Sequence, residues 1–234
     1  MKPDHYEGFA DSYSAENESC LLNAHYERPA MIALAGNVNG RRVLDAGCGS
    51  GPLSAALSAK GAIMTGFDAS PAMLELARQR LGSTVDLSVA DLSQPLPFAD
   101  DSFDDVVSSL VFHYLEDWSA PLAELRRVLK PGGRLILSVN HPTVNVITQP
   151  TEDYFAIRQY SEDYEFSGKP AVLTFWHRPL HAMFDAFTSA GYVVATVSEP
   201  APSPDAPDEL LPPRILNGER TAFLSFIFFV LEAA

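Results

Sequence analysis

Cysteine is almost missing from this chain: Cys20 and Cys48 are the only two in 234 residues. That excludes a disulfide-stapled scaffold, and no C-x-x-C or H-E-x-x-H spacing announces a metal site. His113, His141, His177 and His181 stand apart, with only the last two at helical spacing and Pro179 between them, so no metal is assigned. Long apolar runs are missing too. The longest, AFLSFIFFVLEAA, is shorter than the roughly 20 residues of a membrane-spanning helix and suits a buried strand. The polar, acidic start MKPDHYEGFADSYSAENES carries no apolar leader core, which makes cytoplasmic residence the expectation. Positive charge is scarce: 16 basic residues face 30 acidic ones, a net charge of −14. Such a surface repels phosphate backbones, so nucleic acid is a poor partner and a small molecule a good one. The densest basic group, Arg126, Arg127, Lys130 and Arg134, flanks a helix end. Monomer and homodimer both remain open.

What is present is an ordinary globular balance, 47% apolar and 20% charged, on a chain of single-domain length. From about residue 40 to 140 short apolar runs alternate with amphipathic ones. RRVLDA, AIMTGFD, TVDLSVAD, FDDVVSSLVFHYL and GRLILSVNH read as strands. PLSAALSAK, SPAMLELARQRLG and SAPLAELRRVLKPGG read as helices, the second with Ser70 as N-cap, Pro71 at its first position and Gly82 at its end. This alternation predicts a doubly wound α/β fold with a mostly parallel sheet. Residues 142–176 break the pattern with an aromatic-rich, partly β segment that reads as a cap. HAMFDAFTSAG then predicts a helix, and YVVATVSEP and TAFLSFIFFVLE the last two strands. The expected map is an N-terminal helical lid (1–35), a cofactor-binding half (36–141), the cap (142–176) and a C-terminal helix with two strands (177–234), all in one domain.

The richest stretch is VLDAGCGSG, residues 43–51. Asp45 ends an apolar strand, and Gly47, Gly49 and Gly51 let the backbone turn sharply and a ligand approach closely. Asp68 follows 23 residues later at the end of the next strand, where a β-α-β nucleotide-binding unit places its ribose-holding acid. An adenosine-containing cofactor is implied. The dinucleotide pattern G-x-G-x-x-G fails at Pro52 when counted from Gly47 and at Ser54 when counted from Gly49.

These residues carry a resemblance. VLDAGCGSG, the acid Asp68, the Ala90-Asp91 pair after the third strand, FDDVVSSLVFHYL and LKPGG, in that order, resemble the motifs of the class I S-adenosylmethionine-dependent methyltransferases, particularly the small kind acting on small molecules. The resemblance implies a seven-stranded sheet with an antiparallel last strand, S-adenosylmethionine as cofactor, S-adenosylhomocysteine as product, and direct displacement at the methyl carbon. It implies a cofactor site of Gly47, Cys48, Gly49 and Gly51 around the methionine portion, Asp45 near its ammonium and Asp68 with the small Ala69 at the ribose. Asp91, Leu92 and Met73 would stand near adenine, with Ser109 and Leu110 after the fourth strand. Cys48 itself reads as small packing rather than a nucleophile.

The acceptor side is less constrained. His113, beside Tyr114, and His141 lie at the carboxyl edge of the sheet and are candidate bases, each equally readable as packing or capping. Tyr6, Tyr13 and Tyr26 from the lid, with Tyr154, Tyr160 and Trp176 from the cap, would wall in the methyl group, Tyr13 touching cofactor or substrate. His177 and Arg178 complete the candidate substrate set. Asp100, Asp101, Asp104 and Asp105 read as turn or surface acids. The expected acceptor is an apolar or aromatic small molecule. A cofactor-binding module without catalysis, and an NAD-dependent oxidoreductase, are the competing readings.

Overall fold

A computed structural model describes residues 8–166 and 168–234, so Tyr6 lies outside the described residues. The central sheet is built from β1 (Arg42–Ala46), β2 (Ile63–Asp68), β3 (Asp86–Val89), β4 (Phe103–Ser109), β5 (Leu129–Asn140), β8 (Tyr192–Ser198) and β9 (Phe226–Ala233). Its order is β3-β2-β1-β4-β5-β9-β8, with β9 antiparallel to both neighbours and the remaining pairings parallel. A separate hairpin pairs β6 (Arg158–Phe166) with β7 (Lys169–His177).

Strict alternation along the strands builds two cores, one on each face. Leu44, Leu135, Leu137 and Phe229 point to one face, where they meet Leu122 and Leu125 of α5 (Ser119–Val128) and Phe187 of α7 (Leu180–Ser189). Val43, Ile136 and Phe228 point to the other. There they meet Met31 of α2 (Arg28–Ala35), Leu57 of α3 (Pro52–Ser58) and Ala77 of α4 (Pro71–Leu81). Helix α4 starts as the sequence predicts: Ser70 caps it, its hydroxyl accepting from Met73 N at 3.3 Å, and Gly82 ends it at φ 61°.

Two expectations need correcting. Helix α5 stops at Val128, and Leu129 already pairs with Phe103. Lys130–Gly133 then bulge out before Arg134 pairs with Asp105, so the Pro-Gly-Gly turn is an irregularity inside β5 rather than a helix stop. A Cβ on Gly133 would sit 2.8 Å from Lys130 O, which is why the bulge takes a glycine there. The second correction is Asp105, which is not a surface acid. It is buried in β4, gripped by the guanidinium forks of Arg41 and Arg134, the Arg134 contact being 2.8 Å.

Above the carboxyl edge lie α1 (Ala10–Asn17), a π-helical turn at Asn23–Glu27, α6 (Pro142–Thr148) and the β6–β7 hairpin. The hairpin's inner face, Phe166, Ala171, Leu173 and Phe175, packs on Phe9, Tyr13 and Tyr114. Phe9 stacks on Phe166 at 5.4 Å and Tyr13 meets the same ring edge-on at 5.3 Å, so the N-terminal helix and the hairpin form one roof.

Candidate active site

Strand order reverses between β1 and β4, and the crevice at that reversal is where open α/β sheets bind ligands. The glycine-rich loop leaves β1 there. Gly47, Gly49 and Gly51 take φ of 81°, 54° and 80°, and the N–H groups of Gly47 and Cys48 both donate to Phe67 O at 2.9 Å. The glycines serve different ends. A Cβ on Gly47 would strike Val111 Cγ2 at 2.5 Å and one on Gly51 would strike Leu81 at 2.8 Å, whereas one on Gly49 would meet open space. Gly49 is where the loop leaves room for a ligand. Cys48 packs against Gly66 from the next strand, and burial pushes its thiol well up.

Asp68 is laced into this loop. Its two oxygens accept from Gly49 N and Ser70 N, each at 2.9 Å, so it shapes the loop as well as facing the cleft. Burial raises its carboxyl. Asp45 is 1% exposed, and its Oδ2 accepts from Ser54 Oγ at 2.6 Å while its buried Oδ1 has no partner. Burial, with the nearby charges of Asp68 and Glu27 adding to it, pushes Asp45 up to about 7.

Glu27 escaped the sequence reading. It sits on the π-helical turn in a polar N-terminal stretch, where nothing distinguishes it from a surface acid. The fold drives it into the sheet edge, where its Oε1 accepts from Ser109 Oγ at 2.7 Å and Ser138 Oγ at 2.6 Å. Burial raises its pKa above the ordinary glutamate range. Ser138 Oγ in turn accepts from Leu110 N at 3.0 Å, which holds Leu110 at φ 56°, a conformation uncommon outside glycine.

Tyr13, Asp45, Gly47, Cys48, Gly49, Asp68, Met73, Ser109 and Leu110 therefore line one cleft, joined by Glu27 and Arg28. Four other expected cofactor residues are not among those lining this cleft. Gly51 packs under α4, and Leu92 belongs to the core. Asp91 accepts from Ser93 N and Oγ at 2.9 Å, and neither it nor Ala69 lines the cleft.

Sharing Tyr13, Leu110 and Tyr114 with this cleft is a larger cavity of about 360 Å³ beneath the roof. It gathers His113, Tyr114, His141 and Tyr160 from the expected substrate set. Tyr160 OH accepts from Asn140 Nδ2 at 3.1 Å, and burial pushes its phenol up to about 12. The remainder of that set is placed elsewhere. Tyr26 is 1% exposed in the core between Phe223, Phe226 and Phe228. His177 Nε2 donates to Tyr154 O at 2.8 Å, and Tyr154 OH accepts from Leu180 N, so this pair anchors the hairpin to α7. Arg178 stacks over Trp118 at 4.6 Å and donates to Glu116 O. With Trp176 it lines only a small void behind the cavity.

Neither candidate base keeps a usable lone pair. His113 Nδ1 accepts from Asn140 N at 3.1 Å, which puts the ring proton on Nε2, and full burial lowers its pKa to about 3. His141 Nδ1 accepts from Thr143 N at 3.1 Å, capping α6, while Nε2 donates to Glu199 Oε1 at 2.6 Å. In this arrangement the one lone pair of each neutral imidazole is spent on a backbone N–H.

The arrangement defines a class: a doubly wound α/β domain whose glycine loop is lined by buried carboxylates suited to a cationic, adenosine-bearing ligand. The chain matches the methyltransferase domain family over residues 44–137. It is similar to the demethylmenaquinone methyltransferase of Tropheryma whipplei (strain Twist), with 37% identity over 125 residues, 53% of this chain and 52% of that one. It is 35% identical to the ubiquinone/menaquinone biosynthesis C-methyltransferase of Desulfotalea psychrophila over 155 residues, 64% of this chain and 63% of the other. The matched stretches thus span about half to three-fifths of these relatives' lengths. Among solved structures, an S-adenosylmethionine-dependent methyltransferase from Mesorhizobium loti shares the fold, with TM-score 0.65, 24% identity, and 87% of this chain and 96% of that one covered. A candidate methyltransferase in complex with the Trm112 methyltransferase activator of Haloferax volcanii aligns over 100% of this chain and 97% of its own, with TM-score 0.71 and 27% identity.

Proposed function

We propose that this chain catalyses methyl transfer from S-adenosylmethionine to a small, apolar or aromatic molecule by direct displacement. The observation that carries the reading is Asp45 Oδ1, buried and without a partner in a cleft that holds two further carboxylates, Glu27 and Asp68. A buried charge without compensation is costly, and a ligand ammonium supplies what is missing. The open space at Gly49 admits the amino-acid end of such a ligand, and Arg28, whose guanidinium donates to Asn17 O at 2.7 Å, offers a cation to its carboxylate. Asp68, a carboxylate with about four acceptor sites, retains capacity for a ribose hydroxyl beyond Gly49 and Ser70.

The bound cofactor supplies an electrophilic methyl on a sulfonium. The protein's own part is to orient the two reactants and exclude water: Tyr13, Leu110 and Tyr114 form the wall common to both chambers, and the roof of α1 and the hairpin closes the larger one. Relatives named for methylating demethylmenaquinone support an apolar ring-bearing acceptor. Calorimetric titration with S-adenosylmethionine, S-adenosylhomocysteine and NAD tests the reading. Micromolar binding of both sulfur compounds, lost in Asp68→Ala, is the expected result; preference for NAD, or no binding, refutes it.

A further inference from the structure

The larger cavity limits what chemistry its occupant brings. Both histidines in its wall have their lone pairs occupied by backbone N–H groups, so neither can remove a proton from an attacking hydroxyl or carbon acid without breaking that bond. Tyr160 is held protonated by burial. The acceptor must therefore become nucleophilic by giving up its proton to solvent rather than to a side chain of the wall. Charge narrows it again. Among the described residues lining the cavity the charged ones are Glu16 and Glu162, with no lysine or arginine. Arg158, a cation on the hairpin, is turned to Asn145, Gln149 and Glu152. An anionic acceptor would find no cation among the described residues that line the cavity. Aromatic side chains line the same space: Tyr13, Tyr114, Tyr160, Tyr164, Phe166 and Phe175. Rings and carboxylates together are the surroundings that hold an organic cation.

We propose that the acceptor is an amine nitrogen carried on an apolar or aromatic skeleton, a substrate class that rests on the methyl-transfer reading above. The amine enters as its ammonium, held by the rings and by Glu162, and loses a proton through the acidic rim to solvent. Its freed lone pair forms the N–C bond while the methyl's bond to sulfur breaks. The electron pair stays on sulfur, leaving a neutral thioether. The methylated nitrogen carries the positive charge until it sheds an N–H proton, or keeps it if none remains, and the same cage stabilises that product. No base is required of either histidine.

Matched acceptors on one skeleton decide the matter. Tryptamine, tryptophol and indole-3-acetate, with the benzyl and naphthyl amine, alcohol and acid alongside, are titrated into protein saturated with S-adenosylhomocysteine and assayed for methyl transfer from labelled S-adenosylmethionine. On at least one skeleton the amine is expected to bind and react at least about tenfold better than its alcohol and its acid. Glu162→Gln together with Glu16→Gln should weaken the amine about threefold to tenfold and leave S-adenosylhomocysteine affinity unchanged. No amine exceeding its matched alcohol and acid, or an amine preference indifferent to the glutamates, overturns the proposal while leaving methyl transfer standing. Failure of S-adenosylhomocysteine to bind refutes the underlying reading instead.

Discussion

Asp45 shows how far one side chain can be set by its surroundings. Burial and two neighbouring acids lift it to about 7, so near neutral pH roughly half the molecules carry it protonated. A cationic ligand pairs only with the carboxylate, so below about pH 7 binding must expel a proton. Affinity for S-adenosylhomocysteine should therefore weaken by up to about tenfold per pH unit as pH falls from 7 to 5. Calorimetry in buffers of different ionisation enthalpy reads the released proton, and Asp45→Asn should bind more weakly and without that pH dependence. The sign for stability is the reverse: a raised carboxyl pKa makes the folded state hold its proton longer, so Asp45 costs stability as pH climbs from its unfolded value through 7. Gly47 gives a second test at this scale. Gly47→Ala places a methyl against Val111 at a positive φ and should lower stability by about 2 kcal/mol, measured by urea unfolding. Gly49→Ala should leave stability less affected and weaken cofactor binding more, since the space at Gly49 is open.

At the scale of elements, the lower end of the sheet is fastened by charge. Asp105 on β4 takes Arg41 from the segment before β1 and Arg134 from β5, stitching three successive pieces of the fold. Burial alone would raise its carboxyl, but the two guanidinium groups outweigh that and hold it below the usual range. Its stabilisation is thus present at neutral pH and lost as acid drives the pH down through that depressed value. Asp105→Ala leaves two partly buried cations facing one another and should cost about 3 kcal/mol, a fall in Tm of roughly 6–12 °C by calorimetry. Glu27 is the corresponding fastening at the upper edge, tying the N-terminal helices to β4 and β5 through Ser109 and Ser138. Glu27→Ala should raise amide exchange across residues 9–27 by about tenfold while the central strands keep their protection, because the tether is lost and the core is not.

For the molecule as a whole, a net charge of −14 surrounds a cleft of carboxylates, a field that draws cations inward. S-adenosylmethionine, with its sulfonium, carries one more positive charge than S-adenosylhomocysteine. Its affinity should therefore fall about threefold more between 20 mM and 500 mM salt, and equal salt slopes would contradict that. The sequence by itself determined the doubly wound sheet, the glycine loop with Asp45 and Asp68, and the cap on helix α4. Each is encoded by residues close in the chain: strand alternation, three glycines at alternate positions, a serine before a proline. Only the tertiary structure decided that Glu27 is buried, that Asp105 is a structural ion pair, that Tyr26 is core, and that His113 and His141 have no lone pair to offer. Those outcomes depend on which backbone N–H, guanidinium or ring lies across a gap of dozens of residues, and such a neighbour leaves no local pattern in the chain.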